Sequence, residues 1–352
     1  MQNLEFEPDI ELSEIELIEG YLRIPDTQLK LVGYVCEVAQ RDGDHVLAAD
    51  PYATGFFVAI PCESPELHNN EMYYFVTAKH VASDLKDRDI CFSANKTGGG
   101  VTYDIPRIGR VWVLHPTDRN ADVAVIQVAL SPTLLDAALV SKDSFGLPTR
   151  LRELNVGIGN DVYSIGLFSP FPGNERNVPI VRFGNVSMMP AETIQTDLGH
   201  TEMYLVEARS IGGMSGSPVF VRPTLSLQIA RRGGTAATGF LNGTGETLLG
   251  MAQGHWDIRE EEINKPAFTQ DRKRGVNYGI ALVVPAFKIY ETIYQPGLVA
   301  MRRELEQDTL RQQRSIPGSD SPKKDENDDN TLTQAAFVDA LKRASRKLSD
   351  QK

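Results

Sequence analysis

The sequence predicts an all-β core with helices towards its C-terminal end. Three observations carry this. Short segments rich in β-formers recur through the first part of the chain, at residues 29–38, 54–60, 72–77, 110–114 and 122–128, each bounded by turn residues. With 29 glycines and 20 prolines in 352 residues, the chain favours many turns over long helices. Strands do not alternate with helical segments, which argues for a barrel or sandwich over a βαβ sheet.

A looser stretch, residues 131–154, joins this first series to a second. The second runs through residues 161–166, 179–183, 203–206, 218–221, 247–252 and 278–284. The charged stretch 257–275 is expected as a surface loop between the last two strands. After Pro285 the pattern turns helical, at 286–294 and again at 298–314, where Arg, Glu, Gln and Leu predominate. Residues 315–330 have the composition of a disordered linker. A last amphipathic helix is predicted over 331–348, with Phe337, Leu341, Ala344 and Leu348 on one face and Lys342, Arg343, Arg346 and Lys347 near its end. That helix is the candidate docking element for a partner. Residues 1–28 form an acidic extension, eight acidic side chains against one basic.

Bulk properties exclude several classes. A net charge of −11 and the lack of a Lys- and Arg-rich domain argue against a nucleic-acid binder. Cys36, Cys62 and Cys91 are too few for a disulfide framework and lack metal-ligand spacing, so neither metal nor cofactor is expected. The acidic start has no signal-peptide pattern, and no apolar run is long enough to span a bilayer, so the expected location is the cytoplasm.

Three short stretches carry chemistry. Residues 211–220 place Ser215 between Gly213 and Gly216 at the mouth of a strand. Glycines there allow positive-φ conformations that converge amide N–H groups beside an exposed hydroxyl. A serine hydroxyl is a weak nucleophile and needs a base and oxyanion donors. His80 directly follows the strand 72–77 and titrates near neutrality, as a base that must also return its proton does. Asp122 opens the strand 122–128, where a buried carboxylate can fix the imidazole tautomer. Each stretch is bland alone; the order His80, Asp122, Ser215, with the base pair in one β series and the serine in the other, is specific.

Residues 77–81 (Thr-Ala-Lys-His-Val), 122–126 (Asp-Val-Ala-Val-Ile) and 213–220 (Gly-Met-Ser-Gly-Ser-Pro-Val-Phe) resemble the motifs of trypsin-like, chymotrypsin-fold serine proteases. The serine motif is similar to the glutamyl endopeptidase form, and residues 278–285 are similar to the closing strand of HtrA-like proteases, here without a PDZ domain. The resemblance spans about 30–295. It implies two six-stranded antiparallel β-barrels, about 29–130 and 150–285, within a protease domain 29–295, followed by a helical extension 296–314. It further implies His80 as general base, Asp122 as its orienter, Ser215 as nucleophile, and the N–H groups of Gly213 and Ser215 as the oxyanion hole. Arg209 would sit at the base of the specificity pocket, with Gln253 and His255 along its wall and rim. Arg209 and His255 together would favour an acidic side chain before the scissile bond of a protein or peptide substrate. Met214 departs from the aspartate of zymogen-activated members and cannot make their ion pair. The competing expectation is a domain of the same fold that has lost turnover and serves as a binding module.

Overall fold

A computed structural model describes residues 24–315, apart from 104, 109–110, 132, 209–212, 223–246 and 260–274; of 255–259, 275–278 and 314–315 it describes the backbone alone. The acidic extension up to residue 23, the linker and the final amphipathic helix therefore lie outside the described residues.

After a short helix, α1 (Asp26–Leu29), strand β1 (Val32–Asp42) turns through Gly43–Asp44 into β2 (His45–Pro61), with Asp42 paired to His45. β3 (Glu71–Thr77), β4 (Ile90–Asn95), β5 (Val101–Thr102), β6 (Val113–Leu114), β7 (Ala124–Val128) and β8 (Val140–Ser141) complete the first half. They form an eight-stranded sheet in the order β5-β4-β1-β2-β3-β7-β6, with β8 parallel to β2. Residues 53–60 of β2, 72–77 of β3 and all of β7 are buried, and apart from Thr54, Gly55, Thr77 and Gln127 these stretches are apolar. Ring contacts tie the interior together: Phe75 stacks on Phe92 at 4.4 Å, and Phe92 meets Trp112 edge-on. The sheet does not close on itself among the described residues. Two-residue β6 spends its ladder on β7.

The second half is a closed six-stranded barrel in the order β10-β13-β16-β15-β14-β9. Its strands are β9 (Asp161–Gly166), β10 (Ile180–Met188), β13 (Tyr204–Glu207), β14 (Pro218–Val221), β15 (Thr247–Arg259) and β16 (Gly275–Pro285). A separate hairpin, β11 (Thr193–Thr196) with β12 (Gly199–Glu202), projects from it. Instead of the surface loop expected from residue 257, the β15–β16 ladder continues to Arg259 paired with Gly275. Cross-strand backbone hydrogen bonding overrides the local charge there.

Between β3 and β4 lies α2 (Lys79–Asp84), and α3 (Pro148–Glu153) precedes the barrel. The chain ends in α4 (Ala286–Ile293) and α5 (Pro296–Ser315). α5 packs back on the first half rather than extending away from it. Leu298 and Leu305 join the main core, and the Glu306 carboxylate accepts the N–H groups of Glu63 and Ser64 at 2.8 and 3.0 Å. Arg302 is 2% exposed; it donates to the Tyr74 hydroxyl and the Ile293 carbonyl and lies over the Tyr74 and Tyr294 rings. Among the described residues no helix is long and apolar enough to cross a membrane.

Candidate active site

Thr77 ends β3, and the three residues after it turn the chain into α2, which puts His80 at the rim of the first half. β3 pairs with β7, Thr77 opposite Ala124, so the residues just before β7 lie beside those just after β3. Asp122 is thereby delivered to His80. Its carboxylate is fully buried and accepts two hydrogen bonds from that one residue: the backbone N–H at 2.9 Å and ring Nδ1 at 2.7 Å. An ionised carboxylate only accepts, so Nδ1 carries the proton and Nε2 keeps its lone pair. Burial alone would lower the His80 pKa. The hydrogen bond to Asp122 and the charges of Asp122 and Asp84 outweigh it and raise the ring above its ordinary value.

A polar brace fixes the loop that carries Asp122. Asp118 Oδ1 accepts the N–H groups of Asn120 and Ala121. Its Oδ2 accepts from Thr201 of β12 and from Lys288 of α4, both at 2.7 Å. Lys288, nearly buried, also pairs with Glu202 at 3.2 Å. Burial opposes ionisation of Asp118, yet the bonds from Lys288, Thr201 and the backbone hold it down at about 2. Lys79 donates to the Arg119 carbonyl at 2.6 Å, and Asn120 to the His200 carbonyl at 3.0 Å. His115 Nδ1 accepts the Asp118 N–H, so its Nε2 carries the proton donated to Glu291. None of these supporting residues stands out in the sequence, because the β11–β12 hairpin and α4 bring their partners from far along the chain.

Ser215 comes from the second half. Gly213 and Gly216 on either side of it take φ of +91° and +86°. A side chain at Gly216 would run into the Thr54 carbonyl and the Thr77 hydroxyl, and one at Gly213 into Ser169 and Leu167. Two threonines of the first half hold this loop. Thr54 N–H donates to the Ser215 carbonyl at 3.1 Å, its hydroxyl donates to the Gly213 carbonyl at 2.7 Å, and that same hydroxyl accepts Leu167 N–H at 2.8 Å. Thr77 donates to the Thr54 carbonyl at 2.7 Å. The serine loop therefore sits against the end of the strand that leads to His80.

The Ser215 hydroxyl donates to the Gln253 carbonyl at 2.9 Å. Among the described residues no hydrogen bond joins it to His80, and the N–H groups of Gly213 and Ser215 have no acceptor. Gln253 is thus beside the serine through its backbone. Arg209 lies outside the described residues, as does the His255 side chain; the His255 backbone pairs with Ala281. A cavity of about 20 Å³, room for one water, lies beside Met214 with Ser164, Arg182, Ala252 and Ala281 in its wall. It is too small to be a side-chain pocket.

Residues 53–223 match the family model described as a trypsin-like peptidase domain. No curated protein matches. Solved structures similar to the chain include the apo MamO protease domain from Magnetospirillum magneticum, 16% identical, covering 75% of this chain and 96% of that one at a TM-score of 0.44. Deg5 is 14% identical over 70% of this chain and 87% of its own, TM-score 0.35. The active form of Rv3671c protease from M. tuberculosis is 14% identical over 84% and 94%, TM-score 0.38.

Proposed function

We propose that the protein is a serine endopeptidase that hydrolyses peptide bonds through an acyl-enzyme. The observation that carries this is the doubly bonded His80–Asp122 pair, set at the strand end against which the Ser215 loop is bound. In this reading Nε2 of His80 takes the Ser215 proton as Oγ attacks the carbonyl carbon. The N–H groups of Gly213 and Ser215 receive the oxyanion, and the imidazolium, stabilised by Asp122, returns the proton to the leaving amine. Water then repeats the sequence to release the acid. Before attack, Ser215 rotates about its Cα–Cβ bond to exchange the Gln253 carbonyl for the imidazole. A preference for an acidic side chain before the scissile bond rests on Arg209 and His255 as read from the sequence. A peptide library cleaved after basic or large apolar residues would dismiss it. Cytoplasmic residence rests on a cysteine count too low for a disulfide framework. Partner docking through residues 331–348 rests on their amphipathic pattern alone.

The Ser215–Gln253 hydrogen bond favours a second reading, a latent domain that binds protein without turning it over. Hydrolysis of a casein-type substrate, abolished by Ser215→Ala, separates the two: turnover dismisses latency, and binding without turnover supports it.

A further inference from the structure

Cys36 on β1 and Cys91 on β4 face each other directly across an antiparallel ladder and so project from the same side of the sheet. Val38 N–H donates to the Asp89 carbonyl two residues along, which makes 36/91 a hydrogen-bonded pair as well. Cα atoms in such pairs are about 5.5 Å apart, within the roughly 4.4–6.8 Å that a disulfide spans. Both are buried, at 0% and 6% exposure, in a small cluster with Tyr34 and Leu167 that is separate from the main core. The Cys36 thiol donates to the Tyr34 carbonyl at 3.6 Å. The adjacent Cys36 thiol is the first cause that lowers the Cys91 pKa; Arg41 and Arg107 reinforce it against burial. The adjacent Cys91, with burial, raises Cys36. One thiol is thus readied as the attacking thiolate and the other as the resolving thiol. Cys62 is a built-in contrast, since burial and the charge of Glu306 push it up to about 12.

The cluster also reaches the serine loop. Leu167 belongs to the same apolar cluster as the two cysteines, donates its N–H to Thr54 and lies against Gly213, whose carbonyl the same Thr54 hydroxyl holds.

We propose that Cys36 and Cys91 form a reversible redox site, which a peroxide closes into a cross-strand disulfide that displaces the nucleophile loop through Leu167. The Cys91 thiolate attacks a peroxide oxygen; the O–O bond breaks, hydroxide leaves and is protonated to water, and Cys91 becomes a sulfenic acid. Cys36 sulfur attacks that sulfur; the S–S bond forms, the S–O bond breaks, and the departing hydroxide takes the Cys36 proton as a second water. Opposed β-carbons in such ladders stand about 4.5–5.5 Å apart, beyond the roughly 3.8 Å of a relaxed disulfide, so closure draws β1 and β4 together and leaves a bond that thiols readily reduce. The coupling to the loop rests on Ser215 as nucleophile; the disulfide does not.

The test treats the reduced full-length chain with hydrogen peroxide. Expected are a fall from three titratable thiols to one, a mass lower by two hydrogens, and a Cys36–Cys91 crosslink in the peptide map. Fluorophosphonate labelling of Ser215 should slow by about tenfold or more, as small misplacements of reacting groups do, and recover with dithiothreitol. Cys91→Ala should retain both remaining thiols and its labelling rate. Three surviving thiols, a crosslink to Cys62, or oxidation to sulfinic acid would overturn the redox site. A disulfide that leaves labelling unchanged would overturn the coupling. If the reduced protein does not label, the serine reading fails, while the thiol count and amide exchange across 213–217 still decide the redox site and its reach.

Discussion

His80 gives both of its available donors to Asp122, and this fixes a pH dependence. The ring acts as a base only when deprotonated, and its pKa lies above 6.5. Hydrolysis should therefore rise with pH through a midpoint above 6.5, as a pH–kcat/KM profile would show. Asp122→Asn removes the charge that raises the ring, so the midpoint should fall. The Asn amide also donates towards Nδ1 and forces the proton onto Nε2, which should lower kcat by about 10⁴-fold with the fold intact by circular dichroism. Gly213→Ala is expected to cut fluorophosphonate labelling by roughly 10²-fold or more, because the new methyl group meets Ser169 and Leu167 and tilts an oxyanion donor. His80, Asp122 and Ser215 are legible in the sequence because each sits in a short local motif. The Gln253 hydrogen bond to Ser215 is not, because it depends on a side-chain rotamer set by packing.

Among the elements, the β11–β12 hairpin and α4 converge on one loop through Asp118. Asp118 ionises at about 2 in the fold against an ordinary 3.8, so the stability it contributes is present above pH 4 and is lost as pH falls towards 2. An acid-unfolding titration of Asp118→Asn should lack that component. Lys288→Met leaves Asp118 without its buried cation and is expected to destabilise by about 3 kcal/mol in urea, with slower labelling, since loss of one partner of a buried pair strands the other. Strands β1, β3, β7, β9 and β14 could be read from their apolar, β-branched and aromatic runs. The hairpin could not: Thr193–Thr196 and Gly199–Glu202 are polar, and their pairing is fixed by contacts with Asn120 and Asp118 rather than by a local pattern.

Over the whole molecule, the catalytic candidates come from two halves that are stitched together at Thr54, Lys288 and α5. The composition of α5 shows a helix but not its destination, because its buried face includes Arg302 and Glu306, which sequence periodicity assigns to solvent. Glu306→Ala should destabilise the full chain by about 1–3 kcal/mol in chemical denaturation, as it orphans the N–H groups of Glu63 and Ser64. The central claim is that the two halves assemble an activated serine. Labelling of the purified protein with a fluorophosphonate, with the modified residue mapped by mass spectrometry, tests it most directly. Modification confined to Ser215, and lost in Ser215→Ala and His80→Ala, is the predicted result. An unlabelled Ser215 across the pH range where His80 is neutral, in the reduced protein, would contradict it.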